Sequence, residues 1–189
     1  MTLSALGIFS AAGAGGVVAS SYELIETYVL GSSQASVVFS NLGTYSSTYK
    51  HLQLRMVLRG DRNAGAESLV GRLNGDSGAN YAMHTLTGSG SSVISAAEAN
   101  ATFYEYTYFT DGGTSTIFTP VITDILDAYS TTKNKTIRTM FGRTDGFGGV
   151  ALVSGLWRST SSITSITYTP RYGTNFVAGS RFSLYGIKG

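Results

Sequence analysis

A strict alternation of apolar and polar side chains over residues 51–59 is the feature that most restricts the fold of this chain. A period of two is typical of a half-buried antiparallel strand, in which successive side chains point to opposite faces of a sheet. We therefore expect one buried and one exposed set, which are Leu52, Leu54, Met56 and Leu58 on the inside and His51, Gln53, Arg55, Val57 and Arg59 on the outside.

The same period returns at the end of the sequence, where it predicts a closing strand. Phe182, Leu184 and Gly186 fall on one side of it, and the intervening residues fall on the other. Gly179 and Ser180 supply the turn that leads into this strand. The last residues should therefore be tied into a sheet.

Short β-type segments separated by Gly, Asn and Ser turns fill the chain from Tyr22 onward. Residues 21–30 and 35–39 are predicted to form a hairpin, and the Asn74-Gly75 step predicts a second one before residues 81–86. Residues 137–141 and 149–157 should pair across a Gly-rich loop, and Pro120 indicates an edge position or a bulge in the strand of residues 115–126. Only residues 93–100 have helical character.

About ten such strands with almost no helix predict an all-β protein, an antiparallel β-sandwich of jelly-roll type. The 189 residues suffice for one domain, which we assign to residues 21–189. Residues 1–20 are predicted to form an extended N-terminal arm that attaches to neighbouring subunits, and its apolar contact residues are Leu3, Leu6, Ile8 and Phe9.

Composition favours an outer or assembly-forming protein. Charged residues make up only 13% of the chain, against about 25% in ordinary soluble domains. The net charge is +2, and the basic residues are scattered along the chain instead of clustered, so we expect no nucleic-acid partner. The chain has no cysteine and no apolar run long enough for a membrane span, so we expect neither a disulfide framework nor a membrane partner.

No set of residues in the sequence predicts catalysis. The two histidines, His51 and His84, have no ligand-rich spacing around them, and we interpret both as strand residues. We interpret the carboxylate pairs, Asp124 with Asp127 and Glu23 with Glu26, as solvent-facing charges. The loop around Asp76 offers too few carboxylates for calcium, and the glycine-rich residues 142–149 lack the lysine of a phosphate loop. We expect a non-enzymatic protein without cofactor or metal.

The densely aromatic residues 102–109 form the most distinctive local feature. Alternation places Tyr104, Tyr106 and Tyr108 on one face of a strand. A three-tyrosine face suits packing within the sheet, a subunit interface or a platform for a glycan. We interpret Trp157, at the end of another strand, as a core residue.

Four segments, residues 48–56 (TYKHLQLRM), 72–86 (RLNGDSGANYAMHTL), 156–170 (LWRSTSSITSITYTP) and 176–189 (FVAGSRFSLYGIKG), together resemble small virion proteins of tailed bacteriophages. The likeness runs from about Tyr22 to the end, and its motifs are strands and turns. The resemblance implies a homotrimeric jelly-roll structural protein on the outer surface of a phage particle. Such a protein is a capsid decoration (cement) protein, whose partners are itself and the major capsid protein or another virion protein. The alternative is a tail or head fibre module that recognises a host glycan through the loops of residues 60–66, 142–149 and 171–175.

Overall fold

The computed structural model describes residues 20–63, 67–109, 116–143 and 149–189, without the side chains of residues 106–109 and 143. Apart from one short 3₁₀ helix, Leu42–Tyr45, the regular structure there is β. The strands are β1 Tyr22–Val29, β2 Val37–Phe39, β3 His51–Leu58, β4 Glu67–Leu73, β5 Tyr81–Gly88, β6 Val93–Ala101, β7 Tyr104–Phe109, β8 Thr119–Leu126, β9 Lys135–Arg143, β10 Gly149–Trp157, β11 Ile166–Pro170 and β12 Arg181–Ile187.

These strands form two antiparallel sheets packed face to face, which confirms the predicted all-β sandwich. The large sheet has eight strands in the order β1-β12-β3-β8-β9-β10-β5-β6, and the small sheet has four in the order β2-β11-β4-β7. The described part of the chain contains no helix that is long and apolar enough to cross a membrane.

Strand β3 shows how the alternation builds the core. The four side chains predicted to face inward are buried, and those at the odd-numbered positions are partly or fully exposed. Strand β12 lies between β1 and β3, so the last strand is tied into the large sheet as predicted. Gly179 adopts a φ of +87° in the turn before it, a conformation that favours glycine.

A chain of aromatic rings crosses between the two sheets and fills the centre of the core. Tyr81 of the large sheet stacks near Trp157 at 6.4 Å and contacts Tyr104 of the small sheet at 6.1 Å. Tyr104 in turn meets Tyr168 edge to face, and their hydroxyl oxygens are 2.8 Å apart in a hydrogen bond. Phe182 of the large sheet continues the chain from Tyr168. Trp157 is thus a core residue, as predicted.

Two predicted hairpins are wrong, and for the same reason. Strand β1 pairs with β12 while β2 pairs with β11, so the segment between them passes from one sheet to the other. Likewise the Asn74-Gly75 turn joins β4 of the small sheet to β5 of the large sheet. Tight turns identify a reversal of the chain, but they do not specify which sheet receives the next strand.

Two further predictions about local structure are also wrong. Residues 93–100 form strand β6 and no helix, because pairing with β5 overrides the helical propensity of their alanines and glutamate. Pro120 lies in β8, a central strand between β3 and β9. It is tolerated because the β8–β9 ladder begins only at Val121, so Pro120 lies outside that ladder. The predicted pairing of β9 with β10 is confirmed.

Candidate interaction surface

The outer face of the large sheet carries a row of exposed apolar side chains. Leu86 of β5 lies opposite Leu152 of β10, which lies opposite Met140 of β9, which lies opposite Ile122 of β8. Their exposed fractions are 52%, 46%, 54% and 37% in that order. We call these four residues the apolar row. A contiguous apolar surface on a protein marks a contact with another molecule more often than an isolated exposed side chain does.

The centre of the apolar row lies on β10, a strand that begins with apolar side chains on both of its faces. In β10 the buried Ala151 and Val153 face the core, while Val150 and Leu152 face outward. A sheet with one solvated face normally alternates apolar with polar residues. Strand β10 departs from that pattern. Its outer face is apolar, as is the face that packs against the core, so the outer face is suited to contact another molecule. A shallow depression of about 410 Å³ lies beside Leu86 and Leu152 and reaches β6.

A second row of outward side chains, which we call the polar row, runs parallel to the apolar row and consists of Gln53, Asp124, Arg138, Ser154 and His84. Asp124 of β8 accepts a bond from Gln53 Nε2 at 2.7 Å and from Arg138 Nη2 at 3.0 Å. The Tyr22 hydroxyl donates to Gln53 Oε1 at 2.6 Å. These bonds link β1, β3, β8 and β9, so they cross-link the part of the sheet that presents Ile122 and Met140.

Arg55 closes one end of the apolar row, since it lies opposite Ile122. Its guanidinium sits 5.2 Å from the ring of Tyr22 and 5.6 Å from that of Tyr185, and the two rings stack at 4.7 Å. Burial raises the pKa of Tyr22, although the Arg55 charge opposes that shift. The row therefore ends in a rigid aromatic and cationic cluster.

The residues predicted for attachment fall into three groups. Leu3, Leu6, Ile8 and Phe9 lie outside the described residues, as do the side chains of Tyr106 and Tyr108. Tyr104 is 1% exposed and belongs to the core. Of the three interpretations of the tyrosine face, the burial of Tyr104 against the large sheet fits packing, so the interface interpretation is wrong for this residue.

Both histidines lie on strands, as predicted. His51 Nδ1 accepts a hydrogen bond of 2.8 Å from the backbone N–H of Asp127, so it fixes the turn after β8. His84 is exposed in the polar row, opposite Ser154. Within the described ranges, no group of three or more His, Cys, Asp or Glu residues could hold a metal ion.

The carboxylates predicted to be solvent charges make separate structural contacts. Asp127 accepts from Lys133 Nζ at 2.9 Å, and this hydrogen bond lowers its pKa. Glu23 accepts from Lys188 Nζ and from the Tyr49 hydroxyl, both at 2.7 Å, and these bonds lower its pKa. The Glu23 bond in turn raises the pKa of Tyr49 to about 12. None of these arrangements brings an acid and a base together across a cleft.

Asp76 is a turn residue, as interpreted from the sequence. Burial acts to raise its pKa, but hydrogen bonds from Trp157, Asn80 and Gly78 outweigh burial and lower it. The Trp157 indole N–H donates to Asp76 Oδ2 at 2.6 Å, so one surface carboxylate fixes the orientation of a core side chain. This pairing joins residues 81 apart in the sequence, and no local pattern could have revealed it.

Lys135 is a buried cation that the sequence gave no reason to single out. It is 0% exposed, and its Nζ donates to the backbone carbonyls of Ser130 at 2.7 Å and Lys133 at 2.9 Å. Burial lowers its pKa. The residue fixes the loop between β8 and β9 and is not close to the apolar row.

Of the three predicted recognition loops, residues 171–175 are the best defined. The buried Glu67 accepts from the backbone N–H groups of Arg171 and Tyr172, at 3.0 and 2.8 Å. Asp61 accepts from the backbone of Thr174 and Asn175, and these bonds outweigh burial to lower its pKa. The loop is therefore held rigidly.

This loop presents an exposed ring between two guanidinium groups. Tyr172 is 54% exposed, with Arg62 at 4.6 Å and Arg171 at 5.1 Å from its centre. Arg171 also pairs with Glu105 of β7. Residues 64–66 and 144–148 of the other two loops lie outside the described residues.

Comparison of the chain with protein-family models found no match, and a search of curated proteins found no similar sequence.

Sequence reasoning missed the apolar row, although a signal for it was present. The stretch GVALV at the start of β10 is apolar at every position after the glycine, so either alternating set could have faced the core. Such a run in an antiparallel strand indicates contacts on both faces. Its neighbours in the row come from β5, β9 and β8, whose order across the sheet is a property of the fold and cannot be read from one strand.

Proposed function

We propose that this protein is a non-enzymatic structural protein of a phage particle, a homotrimeric capsid decoration protein on the outer surface that attaches through residues 1–20. The observation that supports it best is the apolar row, an exposed apolar surface on a rigid, hydrogen-bonded sheet. A protein whose task is to cover or join other proteins needs such a surface, and it needs no pocket.

The contacts of the ionisable groups support the same proposal. Asp76, Asp124 and Asp127 each bond to side chains that stabilise the fold. His51 bonds to backbone. Groups committed in this way stabilise a scaffold, whereas acid–base catalysis needs a group that is within reach of a substrate.

The first experiment is to count copies of the protein in purified phage particles by quantitative mass spectrometry against the major capsid protein. Hundreds of copies per particle are expected for a decoration protein on the capsid lattice. A few dozen copies would instead favour a tail or vertex position. Absence from the particles would contradict the proposal.

A second experiment tests whether the apolar row is the contact surface. Leu152→Asn combined with Met140→Asn should reduce occupancy on particles by about tenfold or more, because it places amides in an apolar contact. Ser154→Asn in the neighbouring polar row is the matched control and should bind normally. Both proteins should keep the circular dichroism spectrum of the wild type. Equal occupancy of the double variant and the control would show that the row is not the contact.

The contribution of the N-terminal arm needs its own test. Replacing Leu6, Ile8 and Phe9 by alanine should abolish attachment while the β-sandwich stays folded. Full occupancy after deletion of residues 1–16 would contradict an anchoring role. Sedimentation of the purified protein tests the homotrimer separately.

The exposed Tyr172 supports a second candidate function, recognition of a host glycan by a fibre module. An exposed tyrosine on a pre-formed loop, with two arginines over its ring, can bind a sugar through its hydroxyl, its ring edge and the arginine side chains. A glycan array should then give a signal that Tyr172→Ala removes. Val29→Ala, which changes an exposed side chain on β1, is the matched control. An array without signal would contradict this candidate and leave the structural proposal intact.

A further inference from the structure

Strand β6 is an edge of the large sheet that is exposed on both faces. All eight residues from Val93 to Asn100 are exposed, and only Ala101 at its end is buried. Val93 and Ile94, which point to opposite faces, are 74% and 60% exposed. Among the described strands β6 pairs only with β5, so no described strand pairs with the backbone N–H and C=O groups on its other side.

The side chains of β6 do nothing to protect this edge. Its sequence, VISAAEANA, contains one ionisable residue, Glu98, and neither proline nor lysine. The single irregularity falls at the far end, where Asn100 has a φ of +61° and the register with β5 shifts. Residues 93–99 therefore present a regular strand edge with small side chains at its centre, a geometry that accepts another strand.

We propose that β6 pairs antiparallel with β6 of a second copy of this chain, about a two-fold axis normal to the sheet at Ala97. The two eight-stranded sheets then continue into each other. Ala97 lies opposite its own counterpart, Ser95 lies opposite Ala99, and Ala96 lies opposite Glu98. This inference goes beyond the proposed function and does not depend on it.

Small side chains and a self-complementary backbone edge favour a second copy as the occupant. Directly opposed like charges destabilise a strand pair, and this register places each Glu98 opposite an alanine and diagonal to its own counterpart, about 7–8 Å away. The small side chains Ser95, Ala96, Ala97 and Ala99 let the two backbones approach to normal strand spacing. The contact is isologous, because each copy supplies the same surface and the interface closes on itself. Such a contact is separate from a three-fold interface and could link trimers to one another.

The absence of cysteine from the sequence gives a direct test of the register. Only the residue on the two-fold axis has its own counterpart directly opposite, at a Cα separation of about 4.5–5.5 Å that permits a disulfide. Under mild oxidation, Ala97→Cys should form a disulfide-linked dimer of twice the 19.9 kDa chain mass. Ala96→Cys and Glu98→Cys should form it at least tenfold more slowly, because their counterparts are diagonal, about 7–8 Å away.

The matched control for random collision is Val29→Cys, on the exposed side of β1 at the opposite edge of the same sheet. The proposal requires that Ala97→Cys cross-link at least tenfold faster than Val29→Cys. Equal rates for these two variants would overturn it.

A second variant tests the same contact without oxidation. Ala97→Lys places two ammonium groups opposite each other and should weaken self-association, measured by sedimentation velocity over a range of concentrations, by at least tenfold. Ala97 is exposed, so the isolated chain should stay folded, as circular dichroism can verify. Leu24→Lys on β1 is the control and should associate like the wild type. Unchanged association of Ala97→Lys would also overturn the proposal.

Discussion

The two edge strands of the large sheet, β1 and β6, differ in how strongly they deter pairing with another strand. Strand β1 is interrupted by a register shift between Leu24 and Glu26 and carries two glutamates. Strand β6 is regular over most of its length and carries one. Bulges and charges deter pairing with other strands, so β1 ends the sheet while β6 leaves it open to extension.

The difference extends to the way each edge is attached. Side chains of β1 are tied to the sheet at several points along the strand, among them Tyr22 to Gln53, Glu23 to Lys188 and Thr27 to Ser183. In β6 only the end is tied, where Arg158 donates to Asn100 at 2.7 Å. The described structure contains no side-chain hydrogen bond or ion pair for residues 93–99. Mutations can therefore test separately how firmly β1 is bonded to the sheet and whether β6 is free to pair with another strand.

The largest expected effect comes from a glycine beside β1. A Cβ on Gly186 of β12 would lie 2.3 Å from the ring of Tyr49, whose hydroxyl is bonded to Glu23 of β1. Gly186→Ala should lower the free energy of unfolding by about 3 kcal/mol, at the upper end of the cost of overpacking. Urea denaturation measures it.

Gly88 of β5, the strand next to β6, is the matched control for Gly186. A Cβ there meets nothing within 4 Å. Gly88→Ala should change the free energy of unfolding by no more than about 0.5 kcal/mol. If the two alanine variants were equally stable, the β1 edge would not be the tightly packed one.

Next in size is the loss of the hydrogen bonds that Asp76 makes in the turn between β4 and β5, next to β6 in the large sheet. Both carboxylate oxygens of Asp76 accept hydrogen bonds, Oδ2 from the Trp157 indole and the Asn80 side chain and Oδ1 from the Gly78 N–H. In Asp76→Asn an NH2 group replaces one of these oxygens and therefore faces a donor. The expected loss is about 2 kcal/mol, typical of hydrogen bonds to a charged group. Urea denaturation followed by tryptophan fluorescence measures this loss in the free energy of unfolding. The signal comes from one side chain, because the chain has one tryptophan. Ser77→Asn in the same exposed turn is the control, and an equal loss there would contradict a specific role for Asp76.

A smaller effect is expected at the hydroxyl of Tyr22. Tyr22→Phe removes its 2.6 Å bond to Gln53 and should cost about 1 kcal/mol. Val93→Ala on β6 should cost less than about 0.5 kcal/mol, since the side chain is 74% exposed. A cost at Val93 equal to that at Tyr22 would remove the distinction between an attached and a free edge.

The sequence predicted which side chains face the core better than it predicted which strands lie at the sheet edges. The alternation in β3 and β12 is a property of single strands, so it identified the buried side chains and the antiparallel sandwich correctly. The edges depend on strand order, which joins β1 to β12 across almost the whole sequence. The helical prediction for residues 93–100 was wrong because alanine favours helices locally, whereas the partner strand β5 decides the outcome.

The candidate surface was missed for a related reason. Leu86, Ile122, Met140 and Leu152 come from four strands, and only the order of those strands places them in one row. The tyrosines of β7 were the more conspicuous pattern, yet Tyr104 packs in the core. An aromatic strand seen alone does not reveal which of its faces a second sheet covers.

The smallest expected effect is a pH dependence confined to the β1 edge. Hydrogen bonds from Lys188 and Tyr49 lower the pKa of Glu23 from its usual 4.5. A lowered folded-state pKa means that the carboxylate stabilises the protein above pH 4.5, and this contribution is lost as the pH falls through the lowered value. Glu23→Gln should therefore be less stable than the wild type at pH 7, and the difference should shrink as the pH falls towards 3.

Glu98→Gln on β6 is the matched control. Glu98 makes no hydrogen bond or ion pair with the described residues, so Glu98→Gln should have the same free energy of unfolding as the wild type in urea denaturation at pH 7. A difference between Glu23→Gln and the wild type that stayed constant with pH would show that the Lys188 and Tyr49 contacts do not attach β1 through charge.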